Sequence, residues 1–265
     1  MMCRGVEIPR IHGAVTTEAA AAFVEKWRPG LLQFWDPGVD VWTISLPTCF
    51  ASVASFRPIL GPEEQSRAQR FRRPSDRSRF ISAHGALRMI LAHYAHIDPG
   101  RLRFVFGRHG KPALDRELDL PDIRFNLSHS GEMAVIAVAL GHEVGIDIER
   151  IEPRRADIAI AEHFFSSREL AALRTLPKAD RELGFFTCWT RKEAYIKGRG
   201  EGLSIPLCDF DVSLTPGEPA ALLGSRIDPS NAGRWRLQAV PVKEGYVATL
   251  AVECSSELTH DTSKR

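Results

Sequence analysis

The sequence predicts an α+β fold in two pseudo-symmetric halves, each a small, mainly antiparallel sheet packed with helices, with a ligand site in the cleft between them. Three observations predict it. β-branched runs mark strands at 39–46, 102–106, 133–140, 144–148, 210–214 and 246–252. Helical patterns lie between them, clearest at 76–95, where Phe80, Leu87, Ile90 and Leu91 recur every three or four residues, and at 181–197, through Phe185, Phe186, Trp189 and Ile196. The order of elements then repeats: 39–46 answers to 144–148, one long helix to the other, 102–106 to 210–214, and 133–140 to 246–252.

Each element has its own justification. The strand at 133–140 is a continuous apolar run, and 144–148 alternates faces with period two. Ser166 has the chemistry of an N-cap and opens a third helix. Strands that follow one another around 125–148 break the strict alternation a doubly wound parallel sheet needs. The expected division is an N-terminal half at 1–142, a C-terminal half at 143–255, and a polar, mobile tail at 256–265. A seam between similar halves is a natural ligand site.

Composition narrows the class. The 265 residues suffice for one large or two small domains, and 44% hydrophobic with 26% charged residues is ordinary for a soluble protein with a sizeable core. A net charge of +2 asks for no nucleic acid partner. The five cysteines are odd in number, spread out and free of C-x-x-C, which argues against disulfides and zinc and suits a reducing cytoplasm. Arg4, Glu7 and Arg10 interrupt any signal-like start, and no run of eighteen apolar residues exists to span a membrane.

Several motifs carry chemistry. Gly145-Ile146-Asp147-Ile148-Glu149 puts both isoleucines on one face of a strand and both carboxylates on the other, roughly 7 Å apart at a rise of about 3.3 Å per residue. Such a pair either leans toward one ion or forms the solvated face of an edge strand. On the second long helix Glu193 and Lys197 are four apart and share a surface, as an ordinary ion pair or as functional groups beside the apolar Phe186 and Trp189. Phe125-Asn126-Leu127-Ser128-His129-Ser130-Gly131 lacks the G-x-S-x-G of a hydrolase; it reads as a turn, plain or anion-holding. Gly110-Lys111-Pro112 presents a lysine at a turn. Arg67, Arg70, Arg72, Arg73, Arg77 and Arg79 form a solvated helix entrance or a phosphate-binding cluster. The glycines at 198–202 follow a helix and read as a C-cap and loop rather than a phosphate loop.

Taken in order, G-K-P, F-N-x-S-H-x-G, G-I-D-I-E and W-x-x-K-E-A-x-x-K resemble the signature set of the Sfp-type 4′-phosphopantetheinyl transferases, with a looser match upstream at 71–88. The resemblance implies a monomer that binds coenzyme A between its halves and moves the phosphopantetheine arm to a serine of an apo acyl or peptidyl carrier protein, releasing 3′,5′-ADP. It implies that Asp147, Glu149 and Glu193 hold Mg²⁺, and that Lys111, Ser128 and His129 contact the nucleotide phosphates. Lys192 and Lys197 would face the pyrophosphate, Arg79 the 3′-phosphate, and Glu193 would take the serine proton. The other arginines then meet either a phosphate or an acidic carrier surface. Two alternatives compete: a metal-dependent nuclease, whose D…E-x-K spacing Glu193 and Lys197 do not match, and a non-catalytic carrier-binding module.

Overall fold

The computed structural model describes residues 24–27, 38–46, 50–152 and 156–254. The tail at 256–265 and the first twenty-three residues, with Arg4, Glu7 and Arg10, lie outside the described residues. The first half contains β1 (Val24–Trp27), β2 (Val39–Ser45), α1 (Phe50–Phe56), α2 (Pro62–Gln69), α3 (Pro74–Ala95), β3 (Phe104–Phe106), β4 (Pro112–Leu114), β5 (Ile123–Ser130) and β6 (Met133–Leu140). The second contains β7 (Val144–Arg150), α4 (Ile158–Phe164), α5 (Ser167–Thr175), α6 (Arg181–Arg199), β8 (Phe210–Val212), β9 (Leu222–Ser225), α7 (Asn231–Arg234), β10 (Trp235–Ala239) and β11 (Tyr246–Glu253).

Topology repeats the sequence order. The first sheet runs β1-β2-β6-β5 and the second β10-β11-β7, so β2-β6-β5 and β7-β11-β10 share one order and β1 is an added strand on the outer side of β2. Every pairing is antiparallel, and the hairpins β3-β4 and β8-β9 occupy matching places. Ser45 pairs with Met133 in one sheet as Arg150 pairs with Tyr246 in the other.

Period-two alternation then builds four layers. One face of the first sheet gives Trp42, Ile44, Phe125 and Ile136 to α3. Its other face gives Val39, Val41, Val135 and Ala137 to Ile146, Ile148 and Leu250 of the second sheet, so the two sheets share a core. The far face of the second sheet carries Trp235, Leu237 and Ala251 against Phe186, Ala194 and Tyr195 of α6. Ser166 caps α5 as its chemistry predicts, with Glu169 returning a bond to the cap backbone.

One expected turn is a strand. Phe125 to Ser130 belong to β5, and only Gly131 and Glu132 turn the chain into β6. Ile123, Phe125 and Leu127 alternate with Arg124, Asn126 and Ser128, a pattern that outweighs the turn-forming composition of Ser-His-Ser-Gly. Among the described residues no helix is long and apolar enough to cross a membrane, and Cys188, Cys208 and Cys254 are free thiols.

Candidate active site

Where β5 and β7 meet, the two sheets are joined by side chains instead of a backbone ladder. Asn126, Ser128 and Ser130 share one face of β5 by period two. Asn126 Oδ1 accepts from the backbone N–H of Ile146 at 2.9 Å, and the Ser128 hydroxyl donates to Asp147 Oδ1 at 2.8 Å. The Ser130 hydroxyl donates to Glu149 Oε2 at 2.8 Å and accepts from the Arg150 N–H at 3.1 Å. These rungs satisfy an edge that would otherwise expose unpaired backbone. Ser128 was expected at the site; Asn126 and Ser130 were not, although alternation along β5 marks them.

Gly145 brings β7 against α6. A Cβ on it would stand 2.1 Å from the Ala194 carbonyl oxygen and 2.2 Å from the Gly198 nitrogen, so strand and helix backbones touch there. This contact sets Asp147 opposite Glu193 and Lys197. Asp147 is 2% exposed; Lys197 Nζ lies 2.5 Å from its Oδ1 and donates to the Ser128 hydroxyl oxygen at 3.0 Å. Asp147 Oδ2 is buried with no hydrogen-bond partner. Burial, then the charges of Asp147 and Glu149, raise the Glu193 carboxyl to about 7, against relief from Lys197. Burial alone would lower the Lys197 ammonium, but Asp147, Glu193 and Glu149 hold it above its ordinary value. As the side chains stand, no three His, Cys, Asp or Glu among the described residues close around a point that could hold a metal; Lys197 stands at Asp147 instead.

His129 points the other way from Ser128, as neighbours on a strand must. Its imidazole is held below its ordinary value by partial desolvation and by the nearby charges of His84, Lys197, Arg67 and Arg79. Arg79 donates to Asp76 at 3.2 Å while its Nε is buried without a partner. Arg67 stacks over Phe80 and helps line a groove of about 660 Å³ with Pro62, Glu63, Ser66, Arg70 and Phe71. His84 lies beside these arginines, held by Glu64, which bonds its Nδ1 at 2.9 Å and Arg88 Nε at 2.5 Å. Nothing in the sequence around His84 singled it out.

One expected phosphate contact is corrected, and a second has other partners. Lys192 is fully buried in the core of the second half, not in the cleft: its ammonium lies 2.7 Å from Glu169 Oε2, donates to the carbonyls of Leu207 and Phe210 at 2.7 Å each, and sits over the Phe210 ring. One residue before Glu193, it is turned roughly 100° around a helix of 3.6 residues per turn and cannot share that face. Lys111 reaches across the seam to Glu143, Val144 and Gly198, three acceptors for its three protons. Arg79, Ser128, His129, Asp147, Glu149, Glu193 and Lys197 do gather around the β5–β7–α6 junction.

Comparison with known proteins agrees across both halves. A family model described as the 4′-phosphopantetheinyl transferase superfamily matches residues 143–251, and one described as the N-terminal part of 4′-phosphopantetheinyl transferase matches residues 42–141. The chain is 35% identical over 225 residues to the 4′-phosphopantetheinyl transferase HetI of Nostoc sp., covering 85% of this chain and 92% of that protein. It is 32% identical over 207 residues to a putative 4′-phosphopantetheinyl transferase of Synechocystis sp., covering 78% and 81%. With the 4′-phosphopantetheinyl transferase Sfp of Bacillus subtilis it shares 34% over 159 residues, covering 60% and 68%. With both halves matched and these relatives aligned over most of their length, the chain belongs to the 4′-phosphopantetheinyl transferase superfamily.

Proposed function

We infer that this protein transfers the 4′-phosphopantetheine arm of coenzyme A to a serine of an apo carrier protein, and that the transfer takes place at the acids joining β5, β7 and α6. Family membership supports the reaction. The observation that carries the location is Asp147, almost wholly buried, with one carboxylate oxygen lacking a partner beside a Glu193 that stays protonated to about 7. Buried carboxyl oxygens in that state suit a hard cation. Asp147, Glu149 and Glu193 would hold Mg²⁺, which when bound would supply charge neutralisation to a pyrophosphate.

The chain's own residues supply the rest. The carrier serine oxygen attacks the β-phosphorus and the bond to 3′,5′-ADP breaks. Glu193, with its affinity for a proton near neutrality, accepts the serine proton. Lys197 meets the charge that builds on the phosphate oxygens, and Ser128 orients it through their shared hydrogen bond. His129 and Arg79, in a cationic group with an unpartnered guanidinium nitrogen, suit the 3′-phosphate of coenzyme A. The same reading takes the protein as a monomer acting in the cytoplasm, where coenzyme A and apo carriers meet. Neither the nuclease nor the binding-only alternative accounts for the family match.

The test is incubation with coenzyme A, Mg²⁺ and several apo carriers, with intact mass read for the added arm. Asp147→Ala and Glu193→Gln should each abolish transfer with the fold intact, and Glu149→Gln should cost less. Near-normal turnover in either of the first two removes the acids from the reaction.

A further inference from the structure

Lys111 lies in the segment that joins β3 to β4, yet its side chain belongs to the second half. Its ammonium is 2.7 Å from Glu143 Oε2, 2.7 Å from the Gly198 carbonyl oxygen and 3.1 Å from the Val144 carbonyl oxygen. An ammonium has three protons and no lone pair, so these three acceptors use it completely. The stem crosses Gly200, where a Cβ would stand 2.9 Å from Lys111 Cδ. Gly200 is the left-handed cap of α6 at φ +69°, and a larger residue there would displace the lysine.

The positions of the acceptors matter. Gly198 is in the last turn of α6, at the negative end of the helix dipole, where a cation is stabilising. Val144 is the first residue of β7. Glu143 is held from its other oxygen by Arg124 at 2.6 Å, so two cations of the first half grip it. One ammonium thus fastens the end of α6 to the start of β7 beside the Gly145–Gly198 contact. From there a stiff strand leads to Asp147 and a stiff helix to Glu193 and Lys197.

We propose that Lys111 is a positioning residue: it pins the last turn of α6 to the first residue of β7 and so sets the spacing of Asp147 against Glu193 and Lys197, with no part in holding a phosphate. The inference rests on the acid cluster being the transfer site. Misplacing catalytic groups by about 1 Å can cost on the order of a hundredfold. Lys111→Met should therefore lower kcat by about tenfold or more while KM for coenzyme A stays within about twofold. Preference for coenzyme A over its 3′-dephospho form should not change. Lys111→Arg should fail to rescue, because a planar fork does not offer three converging protons to these acceptors, whereas it would serve a phosphate well.

A second measurement needs neither substrate nor metal. In free protein, amide hydrogen exchange at 197–202 and at 144–146 should quicken in Lys111→Met, since the contact it removes joins those segments. A raised KM with a narrowed preference, rescue by Lys111→Arg and unchanged exchange would make Lys111 a phosphate ligand and overturn the proposal. A parent protein that modifies none of the carriers would defeat the reading of the acid cluster as the transfer site, but the exchange result would still decide whether Lys111 fastens α6 to β7.

Discussion

Burial and the carboxylates of Asp147 and Glu149 hold Glu193 protonated up to about 7, against an ordinary 4.5. Below the ordinary value the group is neutral whether the chain is folded or not. As pH rises through the window between the two values, the unfolded chain releases the proton and the folded one keeps it. Stability should fall across that window by up to about 3 kcal/mol in metal-free protein. Glu193→Gln should flatten the dependence and Mg²⁺ should restore stability at the alkaline end. Denaturant midpoints at about pH 5 and about pH 8, with and without Mg²⁺, measure both effects. A parent and Glu193→Gln with the same pH profile would show that this carboxyl is not buried as described. The i, i+4 spacing already paired Glu193 with Lys197 in the sequence; the orphan oxygen of Asp147 was not legible there, because it depends on which atoms of β5 and α6 pack over it.

At the scale of elements, the strongest periodicities were readable almost to the residue: the strand at 133–140 and the helix beginning at Arg181 are where the pattern puts them. Period-two alternation also ran through β5, but turn-forming composition masked it. Lys192 shows a different failure. The resemblance grouped it with Lys197, while helix phase alone turns it away from Glu193. Its pairing with Glu169 ties α6 to α5, and Glu169 in turn accepts from the N–H of Val212 in β8. Removing one member of a buried pair strands the other, so Lys192→Ala should cost about 3–5 kcal/mol in urea unfolding. Lys192→Met combined with Glu169→Leu should not recover that loss, because the backbone N–H groups of Ser166 and Val212, which Glu169 accepts from, would be left buried without a partner. A single substitution without measurable cost would contradict the burial of the pair.

Across the whole molecule, charge is uneven although the net value is only +2. Arg67, Arg70, Arg72, Arg73 and Arg77 are all exposed around the end of α2 and the start of α3. Arg67 and Arg79 belong with the cationic group at His129; Arg72 and Arg73 remain for a partner. Charge reversal at both should raise KM for an acidic carrier several-fold at low ionic strength and leave KM for coenzyme A unchanged, with the difference fading as salt is added. Equal behaviour of variant and parent at low salt would make them a solvated face. The repeated topology has one more consequence. By strand register, Trp42 and Ile44 of β2 occupy the places that Asp147 and Glu149 hold in β7, and both are buried against α3. On the proposed reading, a molecule built from two copies of one plan therefore places its chemistry in the second. In one copy the helix-facing side of this strand is greased shut, and in the other it is left polar.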